Sequence, residues 1–136
     1  TNYKAYQQGP LTYRFVLRPH AAFDALSLRR FSDEQDNPLL VLAVDPAAPE
    51  PQAPFTLTGD GVTISSLRVS DDGAALVARL FNPLPKPAAV TLRLAPPWIR
   101  VAEVAHGAAG AAARPADDGR VTVPALGTRT VRIERR

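Results

Sequence analysis

Two histidines, His20 and His106, are the side chains best suited to acid–base or metal chemistry, because imidazole changes charge near neutral pH and is the commonest metal ligand. They stand far apart in the chain and neither belongs to an HxH, HxxxH or HExxH spacing, so a zinc site has no local basis. His20 follows an alternating apolar stretch and Pro19, where a structural or interface hydrogen bond is the simpler role. His106 stands beside Gly107 and reads as a loop residue. The acidic pairs Asp71-Asp72 and Asp117-Asp118 each precede a glycine. Neighbouring carboxylates at a turn point apart, whereas a catalytic pair must face each other about 5 to 9 Å apart, so both pairs read as turn formers. Gly59-Asp60-Gly61 is also a turn, since no helix pattern follows it and phosphate cradles draw on a helix N-terminus. Ser65 and Ser66 lack the GxSxG setting of a nucleophile elbow. Trp98, Tyr13 and Tyr6 offer flat faces to a sugar ring, although a single tryptophan after Pro96-Pro97 more simply packs in a core or at an edge. The candidate sugar or interface contacts are thus Trp98, His20 and Tyr13, with no catalytic, cofactor-binding or metal residue assigned.

The elements that would carry these residues follow from periodicity. Residues 11–17 read Leu-Thr-Tyr-Arg-Phe-Val-Leu, so Leu11, Tyr13, Phe15 and Leu17 share one face at a period of two and predict a strand. Pro19 ends it. Phe23, Leu26 and Phe31 then recur at roughly helical spacing, with Asp24 as the predicted N-cap and Asn37-Pro38 as the stop. The continuous apolar run over residues 39–44 predicts a strand buried on both faces or crossing between layers. Residues 45–54 hold four prolines in ten and read as an extended linker.

Beyond residue 55 the pattern changes to short strands separated by turn signals every 8 to 12 residues or so, the mark of a sandwich or barrel. The apolar set Val62, Ile64, Leu67 and Val69 slips phase at Ser65-Ser66, which predicts a bulge. Asp71-Asp72-Gly73 predicts a hairpin that pairs 75–81 back on 62–69. Turns at 82–87 and Pro96-Pro97 bracket a strand with Val90, Leu92 and Leu94 inward. Residues 98–104 resume extended structure, 106–118 form a loop of small residues, and 119–123 and 128–133 close the fold. Seven short strands without a disulfide predict an immunoglobulin-like or jelly-roll-like antiparallel sandwich.

Composition bounds the function classes. The chain has 136 residues, 46% of them apolar and 21% charged, which is ordinary for a globular domain. It contains no cysteine, which removes disulfides, thiolate metal sites and cysteine catalysis. A formal charge of +3 comes with arginines that alternate with apolar residues and never form a basic run with interleaved aromatics, so nucleic-acid binding is not expected. The longest apolar run falls far short of the roughly 20 residues of a spanning helix, so no membrane is expected either. Fourteen Arg against two Lys, with 23 Ala and 14 Pro, reads as the codon bias of a GC-rich bacterial genome. The absence of methionine, even at position 1, predicts a processed protein or a piece of a longer one.

Taken in order, Gly9-Pro10-Leu11-Thr12-Tyr13-Arg14-Phe15-Val16-Leu17-Arg18-Pro19-His20 and Asn37-Pro38-Leu39-Leu40 resemble the end of the large β-supersandwich domain of glycoside hydrolase family 38, the α-mannosidases. There an aromatic-rich strand runs into a Pro-His pair and a helical segment ends in Asn-Pro-Leu. Val77-Ala78-Arg79-Leu80-Phe81-Asn82-Pro83, the strand 89–94, and Pro124-Ala125-Leu126-Gly127-Thr128 with the strand after it resemble the small C-terminal β-sandwich of the same family. This chain departs in lacking a tryptophan soon after Pro19-His20 and in its proline-rich linker.

The resemblance implies an all-β chain: an immunoglobulin-like sandwich at 55–136, a linker at 45–54, and at 1–44 a strand-helix-strand segment from the end of a larger β-supersandwich. It implies a structural, domain-packing role without a catalytic site in this chain. Zinc and the aspartate nucleophile of the retaining reaction would lie in an N-terminal domain that nothing here matches, so the chain itself is expected to carry no cofactor. Expected partners are the remaining domains of the parent and a second copy, through exposed apolar segments at Tyr13, Phe15 and 39–44. The alternatives are a carbohydrate-binding module and an unrelated immunoglobulin-like interaction domain. Location is left open, with the cytoplasm favoured.

Overall fold

The computed structural model describes residues 9–41, 43, 47, 51–105 and 114–136. One helix comes first, α1 (Ala25–Asp36), and its ends are set locally. The Asp24 carboxylate accepts from the Leu26 N–H at 3.1 Å, satisfying one of the donors that a helix start leaves orphaned. At the other end both the backbone and side-chain N–H groups of Asn37 donate to the Asp33 carbonyl, and Pro38 prevents continuation. A forked pair between Arg29 and Asp33, at 2.6 and 3.1 Å, spans one turn. The expected helix and both of its caps are present, yet none of its residues is fully buried.

Two expectations for the N-terminal segment fail. Residues 11–17 form no strand and are exposed throughout, Phe15 at 83%. Residues 39–41 are likewise outside any strand, with Leu39 97% exposed; Leu42 and Val44 lie outside the described residues. The physical reason is the same in both places. A strand is stabilised by a neighbour that takes its N–H and C=O groups and by cross-strand side-chain pairs, and among the described residues neither segment pairs with a strand.

From residue 55 onward the chain builds two antiparallel sheets that pack face to face. The strands are β1 (Phe55–Thr58), β2 (Thr63–Val69), β3 (Ala75–Phe81), β4 (Ala88–Leu94), β5 (Trp98–Val104), β6 (Arg114–Pro115), β7 (Arg120–Val123) and β8 (Thr128–Arg135). One sheet has the order β1-β4-β7 and the other β2-β3-β8-β5-β6. Most connections cross from one sheet to the other, so turn-forming residues recur along the chain and the core needs both layers at once. The bulge expected at Ser65-Ser66 appears as a register shift between Ile64 and Ser66. The Asp71-Asp72-Gly73 hairpin joins β2 to β3, with Gly73 at φ 68° and the Ser70 N–H donating to the Ala75 carbonyl.

The core lies between the sheets, where Leu80, Val90, Leu92, Val101, Val121, Val123, Val131 and Ile133 are buried. They come from alternate positions of β3, β4, β5, β7 and β8, as a period of two requires. Burying each such side chain is worth about 1.5–3 kcal/mol before conformational entropy is counted. The turn between β4 and β5 is closed by the Trp98 N–H donating to the Ala95 carbonyl, with a cis bond between Pro96 and Pro97.

The expected loop at 106–118 is partly corrected. Residues 106–113, His106 among them, lie outside the described residues. Arg114 and Pro115 pair with Glu103 and Ala102 of β5, and Asp117–Gly119 form a 3-10 turn. Composition hid this because a two-residue strand has no periodicity to read.

Candidate functional site

The three side chains singled out from sequence are placed in different settings. Trp98 opens β5, half-buried, with its side chain packed against the core; packing of this kind takes part of its ring away from any ligand. His20 is exposed, and its Nδ1 lies 3.0 Å from the Ala22 carbonyl, which makes that nitrogen the proton-bearing donor and fixes the tautomer. Tyr13 is exposed and stacks on Phe15 with ring centroids 6.4 Å apart. None of these contacts joins one of the three to another. Tyr6 lies outside the described residues.

A groove of about 620 Å³ opens elsewhere, where β4 and β5 face each other from opposite layers and the 3-10 turn closes one end. Leu92, Ile99 and Val101 supply its apolar wall, and Arg93, Arg100 and Asp118 its polar groups. Gly119, at φ 71°, sits so close to the Leu92 carbonyl that a Cβ could not fit, so a glycine is required for the turn to press against β4. Arg100 is also 3.6 Å from Glu134. Arg93 and Arg100 alternate with the buried Leu92 and Val101 along their strands and are exposed. None of Trp98, His20 and Tyr13 lines this groove.

Sequence reasoning missed this grouping. Arg93 reads from sequence as one more outward residue of an alternating strand, and Asp118 as a turn former. Their proximity depends on which strands oppose each other across the layers, and no short-range pattern encodes that.

Two polar clusters are built around single side chains. Asp72, at the β2–β3 turn, accepts from the Ser70 hydroxyl, from the Ala74 N–H at 3.0 Å and from Arg132 at 2.7 Å. The Ser70 hydrogen bond, followed by those of Ala74 and Arg132, holds its carboxyl well below the usual carboxylate range. The turn role expected for Asp71-Asp72 is what the geometry shows. Asn82 is fully buried where β3 ends. Its amide N–H₂ donates to the carbonyls of Lys86, Val123 and Pro124 at 2.7–3.2 Å, and its Oδ1 accepts from the Leu84 N–H. It thereby ties the β3–β4 turn to the end of β7. Asn82-Pro83 was legible as a turn, but its burial was not, since asparagine is mostly exposed.

Among the described residues no group of three or more His, Cys, Asp or Glu side chains is placed to hold a metal ion, and no helix is long and apolar enough to cross a membrane. No family model matches the chain, and neither a curated protein nor a solved structure matches it.

Proposed function

We propose that this chain is the C-terminal β region of an α-mannosidase-like glycoside hydrolase of family 38, acting in domain packing with no catalytic site of its own. The observation that supports it is the exposure of Leu11, Tyr13, Phe15, Leu17, Phe23, Leu39, Leu40 and Val41 in one segment. A patterned apolar segment left uncovered ahead of a sandwich with a buried core of its own is what the end of a larger domain would look like once separated from that domain. On this reading, zinc and the nucleophile belong to the domain ahead of Thr1, and the chain works where its parent does, the cytoplasm being favoured. The two packed antiparallel layers of residues 55–136 support the sandwich part of the immunoglobulin-like expectation. The ABED and CFG strand order of an immunoglobulin domain is not the order here, where β1 neighbours β4.

The test is to incubate the chain with an aryl α-mannoside and zinc and, separately, to co-express it with the polypeptide encoded upstream. No turnover by the chain alone and co-purification with a zinc-binding glycosidase domain are expected. Reproducible turnover by the isolated chain, or an upstream frame without such a domain, overturns the reading. A second reading, a carbohydrate-binding module, is favoured by the exposed stacked pair of Tyr13 and Phe15. Calorimetry with mannose and manno-oligosaccharides separates the two, since heat of binding that disappears in Tyr13→Ala supports the module.

A further inference from the structure

The five-stranded sheet is two strands wider than the sheet facing it. β1 runs into β2 through residues 59–62 alone, and β7 follows β6 just as closely at the far side, so β1 is the edge of the narrower sheet nearest β2, and the exposure along β2 shows that β1 does not cover it. Register puts Ile64, Leu67 and Val69 beside Leu80, Ala78 and Leu76, which turns all three toward the core side of the sheet. Leu80 and Ala78 are buried there, yet Ile64, Leu67 and Val69 are 37%, 49% and 60% exposed. An apolar shelf therefore runs along β2, and among the described residues the outer edge of β2 has no strand neighbour.

Residues 11–17 have the converse deficiency. They match β2 in length, present Leu11, Tyr13, Phe15 and Leu17 on one side of an alternating pattern, and have nothing to cover that side. Their own shelf is a poor destination. Arg18 lies over the Phe31 ring of α1 at 5.5 Å, and Arg29 of α1 lies over the Phe81 ring at 5.6 Å. Phe81 follows the inward Leu80 in β3 and so faces the outer surface of the five-stranded sheet. The segment is thus tethered on the side of the sheet opposite to the shelf.

We propose that the shelf on β2 receives residues 11–17 of a second copy of this chain, lying in the layer of the three-stranded sheet beyond β1. Leu11, Tyr13, Phe15 and Leu17 cover Ile64, Leu67 and Val69, and the exchange is reciprocal about a two-fold axis, as closed dimers require. At roughly 150–250 Å² per large apolar side chain, complete burial of the exposed fractions of these seven side chains sets a ceiling of ~900 Å² for one seam. Two seams reach at most ~1,800 Å², inside the roughly 1,200–2,000 Å² of a stable interface. The donor and receptor are both on the chain as it stands, so the proposal does not rest on the glycosidase reading. A monomer sinks the dimer and leaves that reading untouched; a domain that covers residues 11–17 would compete with the dimer, so the association is measured on this chain alone.

The chain has no cysteine, so introduced thiols report without background. Phe15→Cys and Leu67→Cys chains are mixed and oxidised, a chain carrying both substitutions is oxidised alone, and sedimentation is followed for the unsubstituted protein, Leu67→Lys and Phe15→Lys. The expected result is a disulfide-linked heterodimer from the mixture, linked dimers from the double variant, and dimer dissociation at least tenfold easier in both lysine variants. Phe15→Lys alters a residue outside the sandwich, so its effect does not depend on whether Leu67→Lys folds. A strict monomer at high concentration, a link formed within one chain, or dimerisation indifferent to both lysines overturns the proposal.

Discussion

Residues 11–17 and β3 carry the same kind of pattern and meet opposite fates. Each is seven residues long with apolar side chains at alternate positions. β3 lies between β2 and β8, and its Ala78 and Leu80 are fully covered; among the described residues, positions 11–17 pair with no strand and leave Tyr13, Phe15 and Leu17 in solvent. Alternation specifies which face of a segment prefers to be dry, but a strand exists only where another chain segment supplies the second half of its ladder. The difference between the two regions is therefore one of partners and not of propensity.

The sharpest way to break this comparison is to remove the same side chain from both regions. Leu80→Ala should cost about 2–5 kcal/mol, the range for emptying a packed core position, whereas Leu17→Ala should stay within about 0.5 kcal/mol. Urea unfolding at a protein concentration low enough to keep the chain monomeric measures both. Equal effects would mean that residues 11–17 are packed in solution. Asn82→Ala comes next. It removes the side-chain donor of the Lys86 and Val123 carbonyls and the acceptor of the Leu84 N–H, while the Pro124 carbonyl keeps the Gly127 N–H; a buried group left without a partner costs about 1–3 kcal/mol. The loss should appear in the unfolding midpoint of the sandwich, with amide exchange in α1 unchanged.

The smallest expected effect is set by acid. The Asp72 carboxyl is held below the usual range in the folded chain, so it binds its proton less readily folded than unfolded. Its stabilising contribution is complete above the unfolded value of about 3.9 and is lost as pH falls from there through the depressed folded value. Asp72→Asn should thus be less stable than the unsubstituted chain at neutral pH, and the gap should close on acidification below about pH 4. Thermal unfolding across pH 2 to 7 checks this, and a gap that widens in acid would count against the assignment.

What could be read from the sequence was local. Asp24 and Asn37-Pro38 mark α1, Ser65-Ser66 marks the bulge, and Asp71-Asp72-Gly73 marks a hairpin, because each signal and its structural effect lie within a few residues. Strand neighbours could not be read in this way: nothing in Phe55–Thr58 says that it pairs with β4 rather than β2. The groove inherits that limit, since Arg93, Arg100 and Asp118 line it together only through opposition of the two layers. The shelf on β2 does as well, because Ile64, Leu67 and Val69 look like core residues until the width of the opposing sheet is known.

Asn82 performs a service that other sandwiches assign to sulfur. Immunoglobulin domains clamp their layers with a buried disulfide, while here one amide links the end of β3 to backbone carbonyls 41 and 42 residues further along. A clamp of this kind is blind to redox poise, so the fold coheres equally in reducing and oxidising surroundings. It is also unforgiving of isosteres: a buried aspartate in its place has the right shape and no hydrogens to give.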